Sequence, residues 1–179
     1  MPSTSIEGYP SQYESRLTLK NGSEVFLRPI LNTDGPLLVE LFNMLSPQSV
    51  YFRFLSSLKA LSEALLYQFT NINYDSAFAL VAVVKEDGKN VIIAVGRYAF
   101  DPQDNVTDLA VAVRDDWQHL GLGKSLLQKI ITIGKEHGIS RFVCTIHPQN
   151  DAIKQTFKTL GYEVKYSLRG AYNLVEIFV

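Results

Sequence analysis

The spacing of apolar residues changes along the chain, and each change predicts a different kind of element. From residue 76 the apolar residues are β-branched and fall in the runs 78–84 and 91–100, which a polar turn at 86–89 joins into an antiparallel hairpin. A third strand follows at 107–114. These three strands predict a meander near the centre of a sheet.

Stretches with helical spacing lie on both sides of this meander. Before it, three short helices are predicted to begin near Asp34, Ser46 and Ser62, and we expect them to form a cover or substrate-facing wall over the edge of the sheet. After it, an apolar helical face predicts a long helix that leads into a strand at 141–146. The stretch 107–146 is therefore a parallel crossover unit.

Hairpins are predicted near both ends of the chain. Asn21 and Gly22 predict a turn between two short strands, and Asn150 caps a last helix before two final strands at 162–167 and 173–179. The chain as a whole predicts an α/β (α+β) fold. Its central sheet is mixed and mostly antiparallel, with one parallel, splayed junction and about five flanking helices.

Length and composition predict a domain with a sizeable core. Residues 1–15 lack periodicity and are predicted to be an N-terminal tail, and 16–179 a single domain. The net charge of -1 gives no electrostatic footprint for nucleic acid. The longest apolar run is too short to span a bilayer, and the N-terminus lacks a signal-peptide pattern. We therefore expect a cytoplasmic protein, a monomer or weak homodimer, without nucleic-acid or membrane partners.

The cysteine and histidines give no basis for a metal site. Cys144 is the single cysteine and lies in an apolar strand, so we expect a core residue rather than a nucleophile that carries a covalent intermediate. His119, His137 and His147 lack the spacing of metal ligands. No metal is expected.

Residues 118–125 form a glycine-bracketed loop between the third strand of the meander and the long helix. Gln118 stands where a P-loop needs its first glycine, and Leu126 stands where a dinucleotide fingerprint needs its third. A tight helix entry without a ligand is the alternative. The preceding strand and the crossover unit favour a phosphate site, because the first N–H groups of a helix lack internal partners and its dipole favours negative charge.

Asp108 is the candidate for proton chemistry near this loop. Alternation along its strand places Asp108 on one face with Ala110 and Ala112, whose small side chains leave room for a ligand. An acid at a solvated strand end is the alternative. Asp115 and Asp116 are expected to form only a solvated turn before the loop.

Several motifs together resemble a known family. Gln118, Gly121 and Gly123 fit the Q/R-x-x-G-x-G/A signature of the GNAT acyltransferase superfamily, and Asn150 precedes an apolar helix as in that family. The chain is most similar to the catalytic domain of Pat-type protein-lysine acetyltransferases, which modify acetyl-CoA synthetase. This narrower resemblance rests on LRPI (27–30), LSPQSVYFRF (45–54) and RDDWQHLGLG (114–123).

The resemblance implies acetyl-CoA as co-substrate. It places the backbone of one strand against the pantetheine and thioester, the loop amides around the pyrophosphate, and an asparagine at the neighbouring strand end. In this chain these are Val111, Ala112 and Val113 of the strand; Gln118, His119, Leu120, Gly121, Leu122, Gly123, Lys124 and Ser125 of the loop; and Asn150.

For catalysis the resemblance implies a general base at position 108, where similar proteins carry a glutamate. A lysine ammonium, with an ordinary pKa of about 10.4, must lose a proton before its nitrogen attacks the thioester. Because Asp108 is shorter, we expect a water relay, and a backbone N–H near Val113 would meet the charge on the thioester oxygen. Phe157 stands where many members carry a tyrosine acid, which leaves another group or solvent to protonate the thiolate.

The leading hypothesis is an acetyl-CoA-dependent N-acetyltransferase. It would acetylate a lysine side chain of a protein substrate, such as an acetyl-CoA synthetase, by direct attack with Asp108 as general base. A small-amine acetyltransferase would share the donor site but not the acceptor wall. A non-catalytic CoA-sensing domain is the third hypothesis, motivated by the shorter acid at 108 and by Phe157.

Overall fold

A computed structural model of the chain describes residues 8–179, which contain one eight-stranded sheet and five α-helices. In chain order the elements are β1 (Ser15–Thr18), β2 (Glu24–Pro29), α1 (Gly35–Asn43), α2 (Pro47–Phe54), α3 (Glu63–Thr70), β3 (Ala77–Glu86), β4 (Lys89–Asp101), β5 (Val106–Val113), α4 (Leu122–Glu136), β6 (Arg141–Ile146), α5 (Asp151–Thr159), β7 (Glu163–Arg169) and β8 (Tyr172–Phe178). Short 3₁₀ turns lie at Ser11–Tyr13 and Asp115–Trp117.

The sheet is mixed, as the sequence predicts. Its strand order is β1-β2-β3-β4-β5-β6-β8-β7, and every neighbouring pair is antiparallel except β5 and β6. Those two strands share one register pair, Asp108 with Val143. The pairing therefore ends well before the C-terminal ends of the strands, and a gap opens there between β5 and β6.

Helices cover both faces of the sheet. On one face, α4 packs over the centre, and the position of Gly96 in β4 faces Leu126 and Ile130 of that helix. On the other face, Leu38 and Leu41 of α1 belong to a second buried cluster, formed with residues of β3 and β4. We refer to these as the α4 face and the α1–α3 face.

The prediction that α1–α3 cover the edge of the sheet is wrong. These helices lie over one face of the central strands, opposite α4. The reason is that β3 is buried on both of its faces. Residues 78–82 of that strand have no measurable exposure, and successive side chains point to opposite faces. A strand that is apolar on both faces needs a cover on each.

Local signals place most helix starts correctly. Ser46 and Ser62 accept hydrogen bonds from backbone N–H groups three residues on, as N-caps do. Asp34 stands before α1 without capping it, because its carboxylate is taken by Arg28 at 2.7 and 2.8 Å. Asn150 caps α5 by accepting from the N–H of Ile153. Within residues 8–179, no helix is both long and apolar enough to cross a membrane.

The predicted N-terminal tail lies partly outside the described residues, since the structure describes the chain from residue 8 onward. The tyrosines within its described part make contacts. Tyr13 packs edge-on against Phe78 at a centroid distance of 5.2 Å, and the hydroxyl of Tyr9 donates to Glu14. Strand β1 begins at Ser15.

Replacing Gly134 in α4 with alanine is expected to destabilise the fold. A Cβ at this position would come closer to the ring of the fully buried Phe142 than real Cβ atoms approach. Overpacking should cost about 1–3 kcal/mol and outweigh the roughly 1 kcal/mol that alanine gains over glycine in a helix. Urea unfolding measures the difference.

The control is the same substitution in a Phe142→Leu background, where the smaller side chain leaves room for the added methyl group. There Gly134→Ala should be much less destabilising. An equal loss in both backgrounds would contradict the steric explanation.

Candidate functional site

The exposed edge of β5 faces the gap between β5 and β6. Arg114 donates its backbone N–H to Ile93 of β4, which fixes the side of the strand that bonds to β4. Because backbone groups alternate along a strand, those of Val111 and Val113 point the other way, towards the gap. The carbonyl of Val113 accepts a hydrogen bond from Nε2 of Gln118 at 2.9 Å.

The loop after β5 presents a row of backbone donors. Gly121 is the N-cap of α4 with φ +88°, and His119 is also left-handed with φ +62°. No described residue accepts a hydrogen bond from the N–H groups of residues 119–124, and the first that is paired belongs to Ser125, bonded to the carbonyl of Gly121. Free amides at the start of a fifteen-residue helix fit an anionic group such as a pyrophosphate.

Lys20, which the sequence analysis missed, lies against this loop. It follows β1, and its backbone N–H donates to the carbonyl of Leu120 at 3.3 Å. Its side-chain Cε is 3.5 Å from the position that a Cβ on Gly121 would take. A positive charge therefore stands beside the free amides. No local signal could have revealed this contact, because it joins residues 100 apart in the chain.

Asp115 fastens the loop to α2. Its carboxylate accepts hydrogen bonds from the backbone N–H and the hydroxyl of Ser46, at 2.9 and 2.7 Å, and from the hydroxyl of Ser49 at 3.0 Å. Nε2 of Gln118 also reaches Ser49 at 3.3 Å. Partial burial opposes the effect, but these hydrogen bonds together lower the pKa of Asp115.

Asp116 takes part in a second clamp, centred on Arg114. This arginine is only 4% exposed, and it bonds to Asp116 at 2.6 and 2.8 Å and to Glu86. Its guanidinium lowers the pKa of both acids through these hydrogen bonds. Asp115 and Asp116 are exposed in a turn before the loop, as expected, but they also hold other groups: Asp115 binds α2, and Asp116 binds Arg114, two residues away.

Asp108 lies at the point where β5 and β6 separate. It is paired with Ala99 of β4 on one side and with Val143 of β6 on the other. Its side chain is exposed and makes no hydrogen bond or ion pair with the described residues. Partial desolvation, and after it the charge of Asp101, raises the pKa of Asp108, while Arg169 opposes this shift. The predicted alternation is confirmed, since Leu109 belongs to the α4 face and Ala112 to the α1–α3 face.

Other candidate residues of the sequence analysis are accounted for by the core. Cys144 is buried, and burial raises the pKa of its thiol to about 12, so it stays protonated at neutral pH. Phe157 is 2% exposed in the core. Among residues 8–179, no three His, Cys, Asp or Glu side chains are grouped to hold a metal ion.

Known proteins resemble this chain in sequence and in fold. The model of the acetyltransferase (GNAT) family matches residues 39–162. An acetyltransferase of Pseudomonas aeruginosa is 32% identical over 145 residues, which cover 81% of this chain and 78% of that protein. The acetyltransferase Pat of Mycolicibacterium smegmatis is 26% identical over 144 residues, which cover 80% of this chain and 42% of that protein. The GNAT domain of S. lividans PAT superposes with a TM-score of 0.86 at 27% identity, covering 96% of this chain and 99% of that domain.

The Asp115 clamp predicts a pH-dependent contribution to stability. A carboxyl whose pKa is lowered on folding stabilises the fold above its unfolded value of about 3.9, and this contribution is lost as the pH falls through the folded pKa. Asp115→Asn should therefore cost about 1 kcal/mol at neutral pH, since solvent screens these exposed hydrogen bonds. The difference from wild type should shrink as the pH falls below the unfolded value and through the lowered pKa of the folded state. Urea unfolding at a series of pH values measures it.

Asp75→Asn is the matched control, because the carboxylate of Asp75 is exposed and has no described hydrogen bond or ion pair. It should leave the pH dependence unchanged. A gap between wild type and Asp115→Asn that persists undiminished to pH 2 would contradict the electrostatic explanation.

Proposed function

Because the chain belongs to the acetyltransferase (GNAT) family, we propose that it transfers the acetyl group of acetyl-CoA to a lysine side chain of a protein. Its similarity to two Pat proteins supports this class of acceptor, with an acetyl-CoA synthetase as the first candidate. The observation that carries the proposal is the placement of Asp108. Its exposed carboxyl, with a raised pKa, lies where the paired strands separate, on the strand that leads into the loop of free amides.

The donor side rests on backbone groups. The N–H groups of residues 119–124 would hold the pyrophosphate, and Lys20 would add positive charge beside them. The edge of β5 at Val111 and Val113 would bond to the pantetheine arm in the gap. Asn150 uses its Oδ1 to cap α5, so its Nδ2 is the part of the side chain that would approach this arm.

The acceptor side needs a base. Asp108 would take the proton that the lysine ammonium loses, through a water molecule where its short side chain does not reach. A raised pKa suits this role, because the efficiency of a base increases as its pKa approaches the working pH. The free nitrogen would then attack the thioester carbon, with the backbone N–H of Val113 as donor to the developing oxyanion. Phe157 has no hydroxyl, so solvent would protonate the thiolate that leaves.

Removing the carboxylate of Asp108 should abolish most transfer without affecting the donor. We expect Asp108→Asn to lower kcat by about 100-fold to 10,000-fold, the range of general-base contributions, with CoA affinity unchanged. Asp108→Glu should retain activity. The measurement is release of free CoA and mass spectrometry of a lysine-bearing protein incubated with acetyl-CoA, beside CoA titrations.

Asp101→Asn is the control for this experiment, because Asp101 raises the pKa of Asp108 through its charge. This variant should stay active, and the acid limb of its kcat/KM profile should move to lower pH. Turnover of polyamines or amino acids that far exceeds that of any protein would favour a small-amine enzyme. CoA binding without turnover of any amine would favour a CoA-sensing domain.

Lys20→Gln should weaken binding of CoA and leave binding of pantetheine, which lacks the pyrophosphate, unchanged. An exposed ion pair of this kind is worth about twofold to fivefold in the dissociation constant. Isothermal titration with both compounds measures the effect, and Lys89→Gln at the exposed start of β4 is the matched control. An equal loss for both compounds would place the pyrophosphate elsewhere.

A further inference from the structure

Two arginines line a cavity between helices α1–α3 and the sheet face that they cover. Arg97 projects from β4 and is 8% exposed, and Arg53 projects from α2. The empty space among the lining side chains is about 440 Å³, part of it open to solvent, and only a small part is wide enough for water. Apart from the arginines its walls are apolar, with Leu38, Phe54 and Phe69 among them. The cavity therefore suits the end of a side chain or a small acid.

Neither guanidinium has a hydrogen bond or ion pair with a described residue. The other arginines with little exposure are fully engaged: Arg114 binds Glu86 and Asp116, and Arg28 binds Asp34. An unpaired charge in a protein interior is costly, and two of the same sign cost more. Burial lowers the pKa of Arg53 and of Arg97 to about 10, so both stay charged at neutral pH.

Aromatic rings offset part of this cost. The guanidinium carbon of Arg97 lies 4.3 Å from the centroid of Phe69, and that of Arg53 lies 5.9 Å from the same ring and 4.8 Å from Phe54. A ring face attracts the cation but accepts none of the five N–H donors in the guanidinium plane. Those donors are left for a ligand.

The cavity and Asp108 share one face of the sheet. Arg97 is paired with Ala110 across β4 and β5, and the next pair on the same face is Ala99 with Asp108. Ala112 of β5 also lines the cavity. An anion bound to the arginines would therefore be held within a short distance of Asp108.

We propose that Arg53 and Arg97 bind a carboxylate of the acceptor and thereby bring its amine to Asp108. Two guanidinium forks match the planar, bidentate geometry of a carboxylate, and the apolar walls suit the short aliphatic chain that bears it. The proposal rests on the proposed function for its acceptor. The carboxylate is an acidic side chain near the target lysine of a protein, or the main-chain carboxylate of a free amino acid.

Binding of butyrate tests the site without turnover. Butyrate at constant ionic strength should raise the Tm of the wild type, whereas butyramide, its neutral isostere, should not. Arg97→Met should abolish the butyrate response. It should also raise the Tm of the free protein by about 2–4 °C, because an apolar side chain replaces an unpaired buried charge.

The control is Arg16→Gln, an exposed arginine of β1, which should keep the wild-type response. An undiminished butyrate response in Arg97→Met would overturn the proposal. So would a Tm of free Arg97→Met below that of wild type, since the arginine would then serve packing against Phe69.

Turnover identifies the source of the carboxylate. Lysine peptides with a glutamate two or three residues away should have a KM about 10-fold to 100-fold below matched glutamine peptides. Arg97→Met should remove this difference in KM between the glutamate and glutamine peptides. If Arg97→Met raises the KM for free amino acids and leaves the KM for peptides unchanged, the carboxylate is the main-chain one. If no amine is acetylated, the proposed function fails, and the butyrate experiment still decides whether the arginines bind a carboxylate.

Discussion

The single register pair between β5 and β6 is the constraint on which the site depends. Parallel strands held only at Asp108 and Val143 leave the rest of their facing edges without ladder partners. Backbone groups in such a gap need other partners, and the side chain of Gln118 supplies one to the carbonyl of Val113. The remaining edge is available to a ligand that can enter between the strands. In the proposed function the gap is thus a binding feature as much as an interruption of the sheet.

Charged hydrogen bonds hold the structures around this gap in place. Asp115 joins the loop to the start of α2 through Ser46 and Ser49, and Arg114 joins the end of β5 to the β3–β4 hairpin through Glu86. Hydrogen bonds to charged groups are stronger than those between neutral groups. The loop amides are therefore fixed by contacts on two sides before any ligand binds, which reduces the ordering cost of binding.

The sequence predicted those features that depend on local spacing. Apolar periodicity gave the meander, the long helix and the crossover, and Asn150 was identified as a cap from its position before an apolar helix. Alternation put Asp108 on the correct face of β5. The errors concern contacts between distant parts of the chain. Asp115 looked like a solvated turn because its partners lie 66 and 69 residues away. The proximity of Arg53 to Arg97 was likewise not visible, because it depends on how α2 lies over the sheet.

The shorter acid at position 108 makes placement of the acceptor more demanding in the proposed mechanism. A base that acts through water tolerates less freedom in its partner, because the amine, the water and the carboxylate must align together. An anchor on the same face of the sheet reduces this freedom, and the two unpaired arginines occupy such a position. Free energy stored as uncompensated buried charge would then be released when the correct acceptor binds. Amines without a carboxylate would lack this contribution, so the same pair of residues would serve both orientation and selectivity.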